Sequence, residues 1–195
     1  MTGRCMIDIE HQIVSREILT CGINTSDKIV HFGSGYKDSM LYRYLVSLKD
    51  QNLIGQITLD YTMVDPDGSL SETVTQIDSN GNLGAKVNIV ESSIQEFLDG
   101  NTENFDWSII TGIFDSSLYG DKQFQFVDKI LDACFNTSNH GCIFTFDVSK
   151  ESNENYTINH IISYVNQKFN RYRINKVNEK FYVVCIYRHY YSSIQ

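Results

Sequence analysis

The chain has 195 residues, of which 42% are hydrophobic and 21% charged, a composition typical of globular proteins. No apolar run is long enough to cross a membrane as a helix, and the first ten residues lack the apolar core of a secretory signal. The five cysteines are odd in number and none has C-x-x-C spacing, which favours reduced thiols in a cytoplasmic protein over a disulfide framework or a zinc site.

The net charge of −8 is unevenly distributed along the chain. Residues 168–195 carry six basic side chains against one acid and sum to +5, so the first 167 residues carry −13. An acidic body argues against a nucleic-acid partner, because such binding depends on neutralising phosphates; an RNA- or DNA-modifying enzyme that uses the basic tail is the weaker alternative. We therefore expect a small molecule or a protein as the partner, and no membrane.

Apolar spacing predicts strands and helices in alternation along the chain. Strands are predicted at Lys28–Phe32, 56–61, 86–90, 107–111, 142–148, 172–177 and 180–188. Helices are predicted over 12–21, from Asp38 to residue 48, over 124–134 and over 158–169. The last two strands are joined by a tight Asn178-Glu179 turn.

The segment 62–85 is an exception to this alternation, because it is long and polar for a connection. DPDG at 65–68 is turn chemistry, and Ser69-x-x-Glu72 resembles a capping box. At most a short helix fits there. We interpret the segment as a functional lid or a mobile insertion.

Alternating strands and helices indicate parallel pairing with right-handed crossovers and helices on both faces of the sheet. A closing hairpin makes the last strand antiparallel. The sequence therefore predicts a single α/β domain over 1–195, a Rossmann-like, doubly wound, mostly parallel seven-stranded sheet with a C-terminal antiparallel hairpin.

Three turns are expected at the carboxyl edge of this sheet, where such folds bind ligands. GSGY at 33–36 follows the first strand, and its glycines let a backbone approach a ligand and point amides at it. Asp60 at the predicted tip of the second strand could accept two hydrogen bonds from a ribose diol. Together with TGIF at 111–114, these turns favour a nucleoside-containing cofactor.

At these residues the chain resembles the class I S-adenosylmethionine-dependent methyltransferases, in particular their small bacterial and phage members. KIVHFGSGY (28–36) is similar to their first motif, a strand ending in acid-x-Gly-x-Gly-x-Gly, and Asp60 stands in the place of their ribose-binding acid. FDWSIITGIF (105–114) is similar to their fourth-strand motif, and SREIL (15–19) to an Arg-containing helix upstream. The terminal strand–turn–strand matches the family's closing hairpin.

The resemblance implies S-adenosylmethionine as cofactor and methyl transfer to an unidentified acceptor. By resemblance the turn 33–35 holds the methionine part, Asp60 the ribose, and 92–93 the adenine rim, while 111–112 line the transfer site and Arg16 reaches the cofactor carboxylate. The full set of implied cofactor residues is Arg16, His31, Phe32, Gly33, Ser34, Gly35, Asp60, Tyr61, Ser92, Ser93, Thr111 and Gly112. No residue is identified as a catalytic base.

The sequence departs from the family's pattern at the first motif. His31 stands where the family has Asp or Glu, and Lys37 replaces the third glycine. We expect Lys37 to run along the following helix with its ammonium in water. These departures favour, as the alternative, a methyltransferase-fold interaction or scaffold protein that has lost turnover.

Other chemistries lack their motifs. The chain's only proline is Pro66, so the Pro-containing motifs that amino-group and cytosine C5 methylation use are absent. No histidine has metal-ligand spacing with a cysteine or another histidine, and no metal site is expected.

Overall fold

The computed structural model describes residues 9–54, 57–79, 81, 83–115, 124–147, 158–178 and 181–188. The strands are β1 (Lys28–Phe32), β2 (Asp60–Asp65), β3 (Lys86–Glu91), β4 (Phe105–Asp115), β5 (Ser138–Asp147), β6 (Tyr172–Lys176) and β7 (Phe181–Tyr187). The helices are α1 (Ile9–Leu19), α2 (Tyr36–Asp50), α3 (Leu70–Ile77), α4 (Ile94–Gly100), α5 (Phe124–Asn136) and α6 (Ile158–Lys168).

The seven strands form one sheet in the order β3-β2-β1-β4-β5-β7-β6. Strands β1 to β5 pair in parallel, and β7 lies antiparallel to both β5 and β6. This arrangement confirms the predicted mostly parallel, doubly wound sheet with its C-terminal antiparallel pair. Strand order reverses between β1 and β4, which opens a crevice at their carboxyl ends.

The sheet separates two hydrophobic layers, because successive residues of a strand point to opposite faces. Ile29 in β1 belongs to the layer under α1, α2 and α3, and its neighbour Val30 to the layer that includes α5 and α6. The single tryptophan, Trp107, is fully buried near the amino end of β4, close to the rings of His140 and Tyr187.

The predicted position of the second strand, 56–61, is wrong. Ile57 and Leu59 are buried but precede the strand, and β2 pairs with β1 only from Asp60, opposite Lys28. The alternation of buried Ile57, Leu59 and Tyr61 imitates a strand with one buried face. The true strand is buried on both faces, as central parallel strands are, and so shows no alternation.

Two further expectations for the connections need correction. Residues 62–65 belong to β2, so the polar crossover is shorter than predicted, and its helix α3 buries Leu70 and Val74. Ser69 precedes α3 without a side-chain cap bond, so the expected capping box is wrong. Helix α4 was missed in the sequence, although Ile94, Phe97 and Leu98 have helical spacing and pack, partly buried, against the second hydrophobic layer.

The remaining elements agree with the sequence to within a few residues; α2, for example, begins at Tyr36 rather than Asp38. Glu179 of the predicted hairpin turn lies outside the described residues. Among the described helices, none has both the length and the apolar character to span a membrane.

Candidate functional site

The turn after β1 lies against the carboxyl ends of β2 and β4. Gly33 has φ +67°, and a Cβ there would lie 2.0 Å from the Thr111 carbonyl oxygen, so no other residue fits. The amides of Gly33 and Ser34 donate to the Val64 carbonyl at 3.0 and 3.5 Å. These amides therefore bond inside the protein. The sequence had suggested instead that they point outward at a ligand.

Asp65 ends β2 beside this turn and holds it. Its Oδ2 accepts from the Gly35 N–H at 2.8 Å, and its Oδ1 accepts from the Asp67 N–H at 3.0 Å. A Cβ at Gly35 would approach this carboxylate to 3.0 Å. A buried carboxylate in contact with a glycine turn retains lone pairs for further donors.

The structure places Asp60, the predicted ribose ligand, at the opposite edge of the sheet. It starts β2, opposite Lys28 and Lys86, and forms an exposed ion pair with Lys86 at 3.1 Å. About 16 Å of strand separates it from Asp65, since each residue advances about 3.3 Å. The acid at the carboxyl end of β2 is Asp65, which the sequence analysis did not single out. Pro66 was an available signal for its position, because the residue before a proline favours extended backbone.

Ser92 and Ser93 lie at the edge of the site, where both already form hydrogen bonds within the protein. The Ser92 N–H donates to the Asp65 carbonyl at 3.1 Å, which ties the ends of β2 and β3 together. The Ser93 hydroxyl accepts from the Glu96 N–H and donates to its carboxylate, in a capping box that starts α4. The Ser93 hydroxyl and the Ser93 N–H both donate to the Glu96 carboxylate, and these two bonds lower the pKa of Glu96 below its usual value.

A buried polar group lies beneath the turn on the α2 side of the sheet. His31 Nδ1 is 2.6 Å from the Tyr61 hydroxyl, and its Nε2 is 2.7 Å from Thr111 Oγ1. Thr111 Oγ1 in turn donates to the Gly33 carbonyl at 2.9 Å. Burial lowers the pKa of His31 to about 3, so the imidazole is neutral, and burial raises the pKa of Tyr61. These residues support the turn from within and present no side chain to the surface.

Tyr36 covers the turn on the β4 side, and Lys37 follows it in the chain. Gly112 has φ +70°, and a Cβ there would lie 2.3 Å from the Tyr36 ring, so the ring packs directly on this glycine. Lys37 adopts φ 46°, a conformation that glycine favours, in the place of the family's third glycine. Its side chain is exposed.

Ser34 leaves a polar group in the turn without a partner. Its hydroxyl is buried and has no hydrogen-bond partner among the described residues. A buried, unsatisfied hydroxyl is costly, and a ligand that bonds it would remove that cost.

Arg16 and Phe32 differ from the expectation for cofactor contacts. Arg16 is exposed in the last turn of α1, and its neighbour Glu17 accepts from Asn175 of β6, four strands along the sheet from β1. Phe32 is fully buried with its ring edge-on to Phe97 of α4, so only its backbone borders the turn.

A second cluster of chemically capable side chains lies at the amino edge of the sheet. Asp27, Asp106 and His140 each bring one potential ligand atom within 4.8 Å of the others. The carboxylates also accept backbone N–H groups, from Asn24 for Asp27 and from Lys28 for Asp106, each at 2.8 Å. The Lys28–Asp106 bond joins β1 to β4, whereas the Asn24–Asp27 bond closes the loop before β1. These structural bonds account for the positions of both acids.

Solved structures resemble this fold closely enough to classify it. An rRNA methylase from Streptococcus thermophilus aligns over 94% of this chain and 98% of its own at 12% identity and TM-score 0.52. M. capricolum TrmK, in complex with the cofactor product S-adenosyl-homocysteine, aligns over 93% and 68% at 15% identity and TM-score 0.54. WbdD, in complex with a kinase inhibitor, aligns over 90% of this chain at 14% identity and TM-score 0.55, but the chain spans only 39% of WbdD.

No protein-family model matches the sequence, and no curated protein matches it. The structural likenesses, together with the strand order and the closing antiparallel pair, define the class: the chain has the class I S-adenosylmethionine-dependent methyltransferase fold.

Proposed function

We propose that this protein binds S-adenosylmethionine at the carboxyl edge of β1, β2 and β4 and transfers its methyl group to a small molecule or a protein. The observation that carries the proposal is the 2.8 Å hydrogen bond from the Gly35 amide to Asp65. It joins a glycine turn after the first strand to an acid at the tip of the second, at the point where strand order reverses.

The described residues fit the cofactor's chemistry. The Asp65 carboxylate has lone pairs to accept two hydrogen bonds from a ribose diol. The Ser34 hydroxyl, buried and unpartnered among the described residues, suits the polar methionine part of the cofactor. Ser92, whose amide already anchors β3 to Asp65, borders the expected adenine position.

When bound, the cofactor supplies an electrophilic methyl group attached to a sulfonium. The protein's contribution is to hold acceptor and methyl group in line and to exclude water, which reduces the entropic part of the barrier. Thr111 fixes the backbone at the transfer edge through its bond to Gly33. We assign no side chain as a base.

The acceptor class follows from charge. The body of the chain carries −13. Part of that charge lies at the site's edge, on Asp65 at the end of β2, on Asp67 just after it and on Glu91 at the end of β3. Such a surface disfavours a phosphate backbone.

The four described cysteines are free and buried, which suits a reducing compartment such as the cytoplasm.

Calorimetry with S-adenosylmethionine and S-adenosylhomocysteine tests the proposal, using Asp65→Ala and the matched control Asp60→Ala. Asp65→Ala should weaken binding by about 1.5–3 kcal/mol, as expected for hydrogen bonds to a charged group. Asp60→Ala removes the same side chain from the opposite edge and should leave affinity unchanged. Thermal unfolding of both variants checks that they fold.

Two results would reject the proposal. Wild-type protein that binds neither compound at millimolar concentration would favour the alternative, a methyltransferase-fold interaction protein without turnover. Binding that Asp60→Ala weakens as much as Asp65→Ala would place the ligand elsewhere.

A further inference from the structure

Four polar groups from three strands and the turn form a continuous row beneath the turn. The row runs from the Tyr61 hydroxyl to His31, from His31 to Thr111, and from Thr111 to the Gly33 carbonyl. The first three side chains are buried, with at most 1% of each residue exposed. The rings of Tyr61 and His31 are also nearly parallel, with 8° between their planes.

Only one assignment of protons satisfies every member of this row. A carbonyl oxygen can only accept, so the Thr111 hydroxyl spends its proton on Gly33. Thr111 Oγ1 must then accept from His31 Nε2–H. A neutral imidazole with a proton on Nε2 has none on Nδ1, so Nδ1 accepts from the Tyr61 hydroxyl.

The row ends on a carbonyl whose direction defines the turn. The Gly33 oxygen accepts from Thr111 at 2.9 Å and from the Tyr36 N–H at 3.0 Å, which uses both of its lone pairs. The Gly33 backbone also touches the Thr111 carbonyl so closely that no Cβ fits. The imidazole therefore acts on the turn through Thr111, without touching a ligand itself.

We propose that His31, as the Nε2–H tautomer, is a positioning residue that orients Thr111 and thereby fixes the 33–35 turn for cofactor binding. The row of hydrogen bonds from Tyr61 to the Gly33 carbonyl, called the relay below, is neutral and stands in place of the family's acid. The inference rests on the proposed function for the identity of the ligand. The relay itself is independent of that identity, so the two can be tested separately.

Nitrogen-15 NMR of the histidine ring nitrogens tests the relay without a ligand. The His31 signals are those lost in His31→Gln, and at neutral pH they should show a protonated Nε2 and an unprotonated Nδ1. A protonated Nδ1, or a mixture of tautomers, would overturn the assignment.

Binding of S-adenosylhomocysteine tests the positioning role. Thr111→Val, which removes both hydroxyl bonds at similar volume, should weaken binding about tenfold. The matched control is Ser108→Ala in the same strand, which removes a buried hydroxyl bonded to Ser138 and to the Cys134 carbonyl near the amino edge. It should lower the melting temperature and change affinity less than about twofold.

Two substitutions of the histidine sharpen the test. His31→Phe keeps the ring without its hydrogen bonds and should weaken binding about tenfold, whereas the amide of His31→Gln both accepts and donates and should restore affinity to within about threefold of wild type. If His31→Phe does not fold, Tyr61→Phe, which removes only the first donor, takes its place. Equal affinities in Thr111→Val and Ser108→Ala would overturn the positioning role.

If the wild-type protein binds no cofactor, the proposed function is refuted, but the relay can still be tested. In that case amide hydrogen exchange at Gly33 and Gly35 is the readout. Faster exchange in Thr111→Val than in Ser108→Ala supports the relay, and equal exchange rejects it.

Discussion

The Lys37 ammonium lies 4.6 Å from the centre of the Phe181 ring, so the first turn of α2 contacts the first residue of β7. It also lies 5.2 Å from the Tyr36 ring. From the sequence we expected this ammonium to lie in water along α2. The side chain is exposed, and its ammonium also contacts the two aromatic rings. The cation is held on aromatic faces of the protein itself.

Substitutions at Lys37 should separate backbone strain from the ring contacts. Lys37→Ala loses the cation–π contacts and should lower the free energy of unfolding by about 0.5–1 kcal/mol. Lys37→Gly loses them too but relieves a left-handed conformation that costs about 1–2 kcal/mol. Urea unfolding should therefore show the Gly variant more stable than the Ala variant, opposite to helix propensity. The reverse order would refute the left-handed assignment.

Stability should depend on pH through His31. Its folded pKa of about 3 lies below the unfolded value of 6.5, so the unfolded state binds a proton first as pH falls. Its contribution is complete above pH 6.5 and should fall by about 1.4 kcal/mol per pH unit below it, down to the folded pKa. Urea unfolding between pH 7 and 5 should show that the free energy of unfolding falls less steeply with pH in His31→Gln than in wild type. The same pH dependence in both proteins would mean that the imidazole titrates normally when folded.

Gly112 should tolerate no larger residue while Tyr36 covers it. Gly112→Ala should cost about 2–4 kcal/mol, from its left-handed φ and from the clash with the Tyr36 ring. Gly81→Ala is the control, because Gly81 has a similar φ of +61° and a Cβ there would meet nothing within 4 Å. Its loss of unfolding free energy should therefore come from the backbone conformation alone. Adding Tyr36→Ala to Gly112→Ala should restore the free energy that is lost to the clash with the ring. No recovery would show that the ring does not pack there.

Hydrogen exchange should divide the region that the sequence predicts as one polar crossover. Residues 62–64 of β2 should exchange as slowly as β4, since they are buried and paired on both sides. Helix α3, with Leu70 and Val74 as its buried residues, should exchange faster. Mass spectrometry of exchanged peptides resolves this difference. Uniform protection across β2 and α3 would contradict it, and slowing of α3 by cofactor would support a lid.

The sequence was sufficient for the sheet but not for the register of one central strand. Strands such as β1 and β3 were predicted closely because their apolar runs are bounded by clear turns. At β2, the buried residues Ile57 and Leu59 outside the strand produced a false alternation. Because this strand was predicted a few residues too early, Asp60 was expected at the carboxyl edge of the sheet, whereas the structure places it at the amino edge.

The relay beneath the turn lay beyond sequence reasoning for a different reason. His31 is 30 residues from Tyr61 and 80 from Thr111 along the chain. Only the pairing of β1 between β2 and β4 brings them together. His31 could be identified from sequence as a departure from the family's motif. Its partner Tyr61 lies in β2, the strand whose position was predicted wrongly, and its partner Thr111 lies in β4, whose position was predicted closely.

The position of Trp107 gives experiments on this protein an internal fluorophore that reports on folding alone. It is the chain's single tryptophan, fully buried beside Tyr187 near the amino end of β4. Thr111, at the candidate site, lies four residues further on, about 13 Å along the strand. Intrinsic emission should shift to longer wavelength on unfolding and change little when ligand binds, so stability and occupancy can be followed separately in one sample.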